Sequence, residues 1–155
     1  MKRLTLLHIL GCLLSALLCL PLTATAKGGY KSVSAGSYHV MVLKEDGSLW
    51  GWGYNGVGQL GDGSENSRTR PVQILDGVRQ VSTVGNYTMA ILNDGSLWGW
   101  GLNNEGQLGD GTDIYRTRPV KIAEKVRSVA CGSVYTIYVT DAGELMECGK
   151  LEWPW

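Results

Sequence analysis

The chain has 155 residues, enough for one ordinary domain, and its 14 Lys+Arg balance 14 Asp+Glu to a formal net charge of zero. That balance argues against a duplex-binding protein, which needs clustered cations to neutralise phosphates. With only two histidines and four cysteines, few metal clusters or nucleophile triads can be assembled.

The amino-terminal residues differ in kind from the rest. Lys2 and Arg3 precede an apolar run from Leu4 to Leu20, Pro21 breaks it, and Ala24-Thr25-Ala26 supplies a small-x-small pattern. This order predicts a helical secretory signal peptide over residues 1–26, cleaved after Ala26, and a secreted or periplasmic product. The competing reading, an uncleaved anchor, has a run at the short edge of what spans a bilayer, so no stable membrane span is expected after processing. Cys12 behind Ile9-Leu10-Gly11 gives only a faint lipoprotein signal. Cleavage leaves 12 basic and 14 acidic residues, a net charge of about −2.

From Val33 onward the sequence repeats itself. Asp46-Gly47-Ser48-Leu49-Trp50-Gly51-Trp52-Gly53 recurs unchanged from Asp94 to Gly101, Gly58 to Gly63 recurs from Gly106 to Gly111, and Arg68 to Val72 recurs from Arg116 to Val120. The offset is 48 throughout, and 26 of 48 positions are identical. The units run 33–80 and 81–128, with a partial third over 129–150 and a tail over 151–155. Within each unit, β-rich runs (His39 to Leu43, Ser48 to Gly53) flank Asp46-Gly47, a hairpin signal because glycine tolerates the positive φ of the turn. Asn93-Asp94-Gly95 repeats the signal, and a Gly-rich loop follows from Asn55 to Gly63. Another strand begins at Val78 or Val126. No long helical periodicity exists after residue 26, so the class is all-β.

Alternation along a strand puts Trp50 and Trp52 on one face and Gly51 and Gly53 on the other, and the same holds for Trp98 and Trp100. The indoles then fill a layer between sheets while the glycines let another backbone approach. Cys131 and Cys148 are the cysteines left after processing, and they read either as a disulfide allowed by an oxidising compartment or as two small apolar fillers of a strand-rich core. His39 is the single histidine left after processing. Asp62 and Asp110, between glycines, read as turn formers, because the spacing to Glu65 or Asp113 fits no calcium loop. Neither metal nor cofactor is expected. Arg68, Arg70, Arg116 and Arg118 sit in two Arg-Thr-Arg-Pro loops and are the best candidates for binding a partner, against the plainer reading of solvated charge near Asp76 or Glu124. Asn86-Tyr87-Thr88 is a glycosylation sequon.

Val-Ser-Ala-Gly-Ser-Tyr-His (33–39), followed by the Asp-Gly-Ser-Leu-Trp-Gly-Trp-Gly, Gly-Gln-Leu-Gly-Asp-Gly and Pro-Val motifs, resembles the regulator of chromosome condensation repeat. The resemblance implies four-stranded blades of a seven-bladed β-propeller. Val84 stands where the first unit has Gly36, and Tyr87 and Tyr135 stand where it has His39. Two blades and a partial third make an open arc, which leaves three readings: a truncated or split gene, a short chain that closes a ring as a homo-oligomer, or a chain completed by another protein. The expected function is a non-catalytic protein-binding module outside the cytoplasm, with a structural, self-assembling role as the alternative. An inhibitor role like that of some exported family members is a sub-case. Nucleotide exchange, the founding member's activity, conflicts with the export signal and the near-neutral charge.

Overall fold

The computed structural model describes residues 29–151. The signal-peptide reading of residues 1–26 and most of the tail lie outside the described residues. Strands β1 (Tyr30–Ala35), β2 (His39–Lys44), β3 (Leu49–Gly53) and β4 (Arg68–Leu75) form one antiparallel sheet in that order. Strands β5 (Val78–Val84), β6 (Tyr87–Leu92), β7 (Leu97–Gly101) and β8 (Arg116–Ala123) form a second in the same order. A third sheet holds β9 (Val126–Cys131), β10 (Tyr135–Thr140) and β11 (Leu145–Gly149). Each is a meander in which neighbours in sequence pair in space, the plan of a propeller blade. Among the described residues there is no helix, and the sheets stack as an unclosed arc.

The hairpins form where glycine was expected to make them. Gly47 takes φ +83° and its N–H donates to the Lys44 carbonyl at 3.0 Å. Asp46 does more than tolerate the turn: its Oδ1 accepts from the Ser48 amide at 2.9 Å and hydroxyl at 2.6 Å, and Ser48 Oγ accepts from Trp50 Nε1 at 2.9 Å. Asp94, Ser96 and Trp98 repeat this chain of bonds. The Asp-Gly-Ser-Leu-Trp motif therefore fixes the turn and the first indole together. In the third sheet Glu144 and Met146 occupy the serine and tryptophan positions.

Two apolar layers join the sheets. Met41, Leu43, Leu49 and Leu60 of the first unit pack against Val78, Ala90 and Trp100 of the second. Tyr87, Met89, Ile91, Leu97 and Leu108 repeat that packing against Val126 and Val129 of the third. The Trp100 face of the second sheet looks back at the first sheet, and its Met89 face looks forward to the third. The clearance has a different use from the one expected at Gly51 and Gly99. A Cβ on Gly51 would lie 2.6 Å from Met41 Sδ, and one on Gly99 2.8 Å from Met89 Sδ, so side chains of the same sheet fill the space. Backbone approach occurs at Gly101, where φ is +95° and a Cβ would lie 3.0 Å from Gln59 Cα of the first unit.

Two further expectations change. The Arg-Thr-Arg-Pro segments are not loops but the first halves of β4 and β8, with register shifts opposite Gly51–Gly53 and Gly99–Gly101. An outer strand can absorb a proline there because its free edge needs no N–H. Cys131 and Cys148 are free thiols. Both pair with Thr136, from opposite sides, which puts them two strands apart, about 9–10 Å. A disulfide spans less than about 7 Å between Cα atoms.

Candidate functional site

The Gly-rich loop is held from within. Asn55, fully buried, donates from Nδ2 to Asp62 Oδ1 (3.1 Å), the Ser64 carbonyl (2.9 Å) and the Asn66 carbonyl (3.2 Å), while its Oδ1 accepts from the Leu60 amide (2.9 Å). Asn103 makes the matching set with Asp110, Thr112, Ile114 and Leu108. Asp62 also receives Arg68 Nε at 2.7 Å and Nη2 at 2.5 Å, and Asp110 receives Arg116 at 2.7 and 2.6 Å. Burial opposes charge on these carboxyls, but the Ser64 or Thr112 and arginine bonds outweigh it and hold both below the usual range. Arg68 and Arg116 are therefore loop staples, bound to Asp62 and Asp110 rather than lying near Asp76 or Glu124. Arg70 and Arg118 are exposed, and the Arg118 guanidinium covers Gly63 of the preceding unit.

The loop in turn docks on the next sheet. Thr88 donates its hydroxyl to the Gln59 carbonyl at 2.9 Å, so the 3.0 Å contact from His39 Nε2 must be an N–H donated to Thr88 Oγ1. The Gln59 amide reaches Asn86 Oδ1 at 3.3 Å, and Gly63 N–H donates to the Thr117 carbonyl at 2.8 Å. At the second junction Thr136 donates to the Gln107 carbonyl at 2.8 Å, and the Tyr87 hydroxyl lies 2.5 Å from the Tyr135 carbonyl oxygen. Trp100 sits over Gly61 at the first junction, and Cys148 sits over Gly109 at the second. Burial pushes the Cys131 thiol up to about 11 and raises that of Cys148, so both are poor nucleophiles. The sequon lies inside this junction: Thr88 is fully buried and Asn86 is bonded to Gln59.

His39 is buried at 2 % exposure, and burial pushes its pKa down to about 4 from an ordinary 6.5. The unfolded chain then binds the proton more readily, so stability is full above pH 6.5 and falls as pH drops towards 4. We expect a loss of about 3 kcal/mol between pH 7 and 4. The lowered aspartates act only below their ordinary 3.8. Urea unfolding at pH 7, 5.5 and 4.5 should show the decline, and His39→Gln should flatten it.

One face is left without a sheet over it among the described residues. On the first sheet Val33, Val40, Trp50 and Trp52 face away from the second sheet. Tyr38 (72 % exposed) and Tyr54 (45 % exposed) stand beside them, edge to face at 6.4 Å, and Lys44 Nζ lies 4.1 Å from the Trp50 ring centre. Two of the corresponding residues of the second unit grip a loop, Asn86 at the Tyr38 position and Thr88 at the Val40 position, and Leu102 stands at the Tyr54 position. The first unit keeps the indoles and replaces both polar grips with apolar or aromatic groups. Sequence reasoning missed Tyr38 and Tyr54. Their signal is a difference between the units, Tyr38 against Asn86 and Tyr54 against Leu102, and not an identity.

Among the described residues no cluster of three or more metal-ligating side chains exists, and no helix is long and apolar enough to cross a membrane. The fold matches human WBSCR16 with a TM-score of 0.74 over 81 % of this chain and 34 % of that one, at 28 % identity. It matches Prp20p of Saccharomyces cerevisiae at 0.68 over 77 % of this chain and 33 % of that one, at 22 % identity, a likeness of fold alone. In sequence, 53 residues are 40 % identical to the ultraviolet-B receptor UVR8 of Arabidopsis thaliana, covering 34 % of this chain and 12 % of the receptor. The chain thus spans about a third of the length of the solved relatives. The regulator of chromosome condensation (RCC1) repeat model matches residues 46–91 and 94–139. With more than half of its residues in those two matches and three stacked sheets to embody them, this chain belongs to the RCC1 repeat family.

Proposed function

We propose that this chain is an exported, non-catalytic protein-binding module. The uncovered aromatic face of the first sheet carries the reading: Tyr38, Tyr54, Trp50 and Trp52 offer rigid rings with polar tips, the chemistry enriched at the centres of protein interfaces. The order of residues 1–26 supports export. His39 is engaged with Thr88 and its proton affinity is depressed, which makes it a poor general base near neutral pH. Prp20p binds Gsp1p and histones, a precedent for protein recognition by a propeller of these units.

Ring closure by copies of this chain is the weaker alternative. A loop docking on the first sheet as Gln59 docks on the second would meet Val40 in place of Thr88. Its carbonyl would be buried without a donor, at a cost of about 1–3 kcal/mol.

The test places a photo-crosslinking amino acid at Tyr54 in the source cell. A discrete adduct with a second protein, found outside the cytoplasm and lost when the crosslinker is moved to buried Met89, is expected. No adduct, or an adduct with its own chain, would sink the reading.

A further inference from the structure

The junction between the first two sheets is tied differently at its two ends. At the end of the Asp-Gly turns the ties are backbone bonds, from the Val78 amide to the Gly47 carbonyl at 2.9 Å and from the Asn93 amide to the Gly77 carbonyl at 2.8 Å. At the loop end they gather around His39. Its Nε2 donates to Thr88 Oγ1, and Thr88 donates onward to the Gln59 carbonyl. Beside them the Ser37 amide donates to the Gly85 carbonyl at 2.8 Å and the Thr83 amide to Ser34 Oγ at 2.9 Å. With the ring proton on Nε2, Nδ1 keeps only a lone pair, buried and without a hydrogen-bond partner among the described residues. The ring packs on Gly36 so closely that a Cβ there would lie 2.5 Å from Nδ1.

A proton gained at Nδ1 would bury a cation whose new N–H meets no acceptor, an arrangement that folding strongly disfavours. No charged group faces the ring to offset it, and burial alone depresses its proton affinity. Lys31 of β1, Lys44 of β2 and Arg79 of β5 lie at the far ends of their strands, β3 carries no titratable residue, and Tyr87 of β6 points into the second junction. In the Gly-rich loop Asp62 is engaged with Arg68, and Glu65 with Tyr115. The second junction lacks this sensitivity. There Tyr87 stands at the His39 position, its hydroxyl lies against the Tyr135 carbonyl, and burial drives its pKa upward, so it stays neutral in acid.

We propose that the junction between the first two sheets is an acid-opened hinge: a proton taken up by His39 parts its loop end, while the turn end and the second junction stay closed. Parting brings the imidazolium into water, and it uncovers Gly61 and the Trp100 indole that lies over it. The proton comes from solvent and returns there, so the hinge closes again as the pH rises. With an ordinary pKa of 6.5 when parted and one of about 4 when closed, the parted state gains about 20-fold over the closed one between pH 7 and pH 5. The hinge belongs to the frame and not to the partner, so it holds or fails independently of the protein-binding reading.

Amide hydrogen exchange of the full chain, followed by NMR at pH 7 and pH 5 with each rate referred to the unfolded rate at that pH, tests this. Protection at Ser37, Gly63 and Thr83, whose amides bond across the loop end, should fall about 20-fold between the two. At pH 5 these amides should exchange faster than Val78 at the turn end and Cys131 at the second junction. Their rates should also respond little to dilute urea, because the opening exposes little surface. His39→Tyr, which supplies the residue of the second unit, should remove the fall, and His39→Gln serves the same purpose if the tyrosine variant does not fold. Equal protection and equal urea dependence at all five amides would overturn the proposal, because His39 would then act on the whole fold at once. So would an unchanged protection in the parent chain, or a fall that persists in the His39 variants.

Discussion

Trp100→Ala should cost about 3–5 kcal/mol, whereas Trp52→Ala, the same change 48 residues earlier, should cost only about 1 kcal/mol. Trp100 is fully buried between the first two sheets, where its ring covers Gly61 and packs with Met41, Leu43 and Leu60. Deleting it opens a cavity whose walls belong to different units and cannot collapse without separating the sheets. Trp52 holds the same strand position, opposite Val40 instead of Thr88, but has no sheet over it among the described residues. The deleted atoms there leave a surface that water can fill. Urea unfolding of the two variants, compared at equal protein concentration, checks this. Equal losses would mean that something covers the first sheet in solution, and the uncovered-face reading would have to be abandoned.

The second large effect is expected at Asn55. Asn55→Ala removes an NH2 group shared among three acceptors, and one accepted bond, from a fully buried position. It strands the Leu60 amide and two loop carbonyls, so we expect a loss of about 3–4 kcal/mol. Asn55→Asp should be worse still, because a carboxylate would face Asp62 at about 3.1 Å and two carbonyl oxygens besides. Chemical denaturation measures the loss, and limited proteolysis should show first cleavage between residues 55 and 67. Against a total stability of roughly 5–15 kcal/mol for an ordinary domain, either loss is large. Retention of parental stability by Asn55→Ala would show that the loop is held by its glycines and Arg68 alone.

Strand positions were legible because Asp-Gly turns and alternating β-branched or aromatic runs are local signals with a fixed period. The repeat was legible because the offset of 48 never slips between the first two units. The staples were not. Asn55 and Gln59 stand in a Gly-rich segment that composition reads as exposed loop, yet both are fully buried. Their burial depends on the next sheet, which local pattern does not contain. Thr88 and Thr136 carried a readable clue, since threonine recurs at the offset of 48 while the first unit has Val40. The cysteines stayed open for a related reason: parity and compartment allow a bond that strand register forbids. Among the arginines, sequence could not separate Arg68 and Arg116, engaged with aspartates, from the more exposed Arg70 and Arg118.

The family unit and the sheet are out of phase. The match over 46–91 takes in β3 and β4 of one sheet with β5 and β6 of the next, and the match over 94–139 takes in β7 to β10 in the same way. A copy taken in that phase carries a seam with half a blade on each side, not a free-standing blade. Lengthening such an array by one unit adds a ready-fitted contact along with its strands.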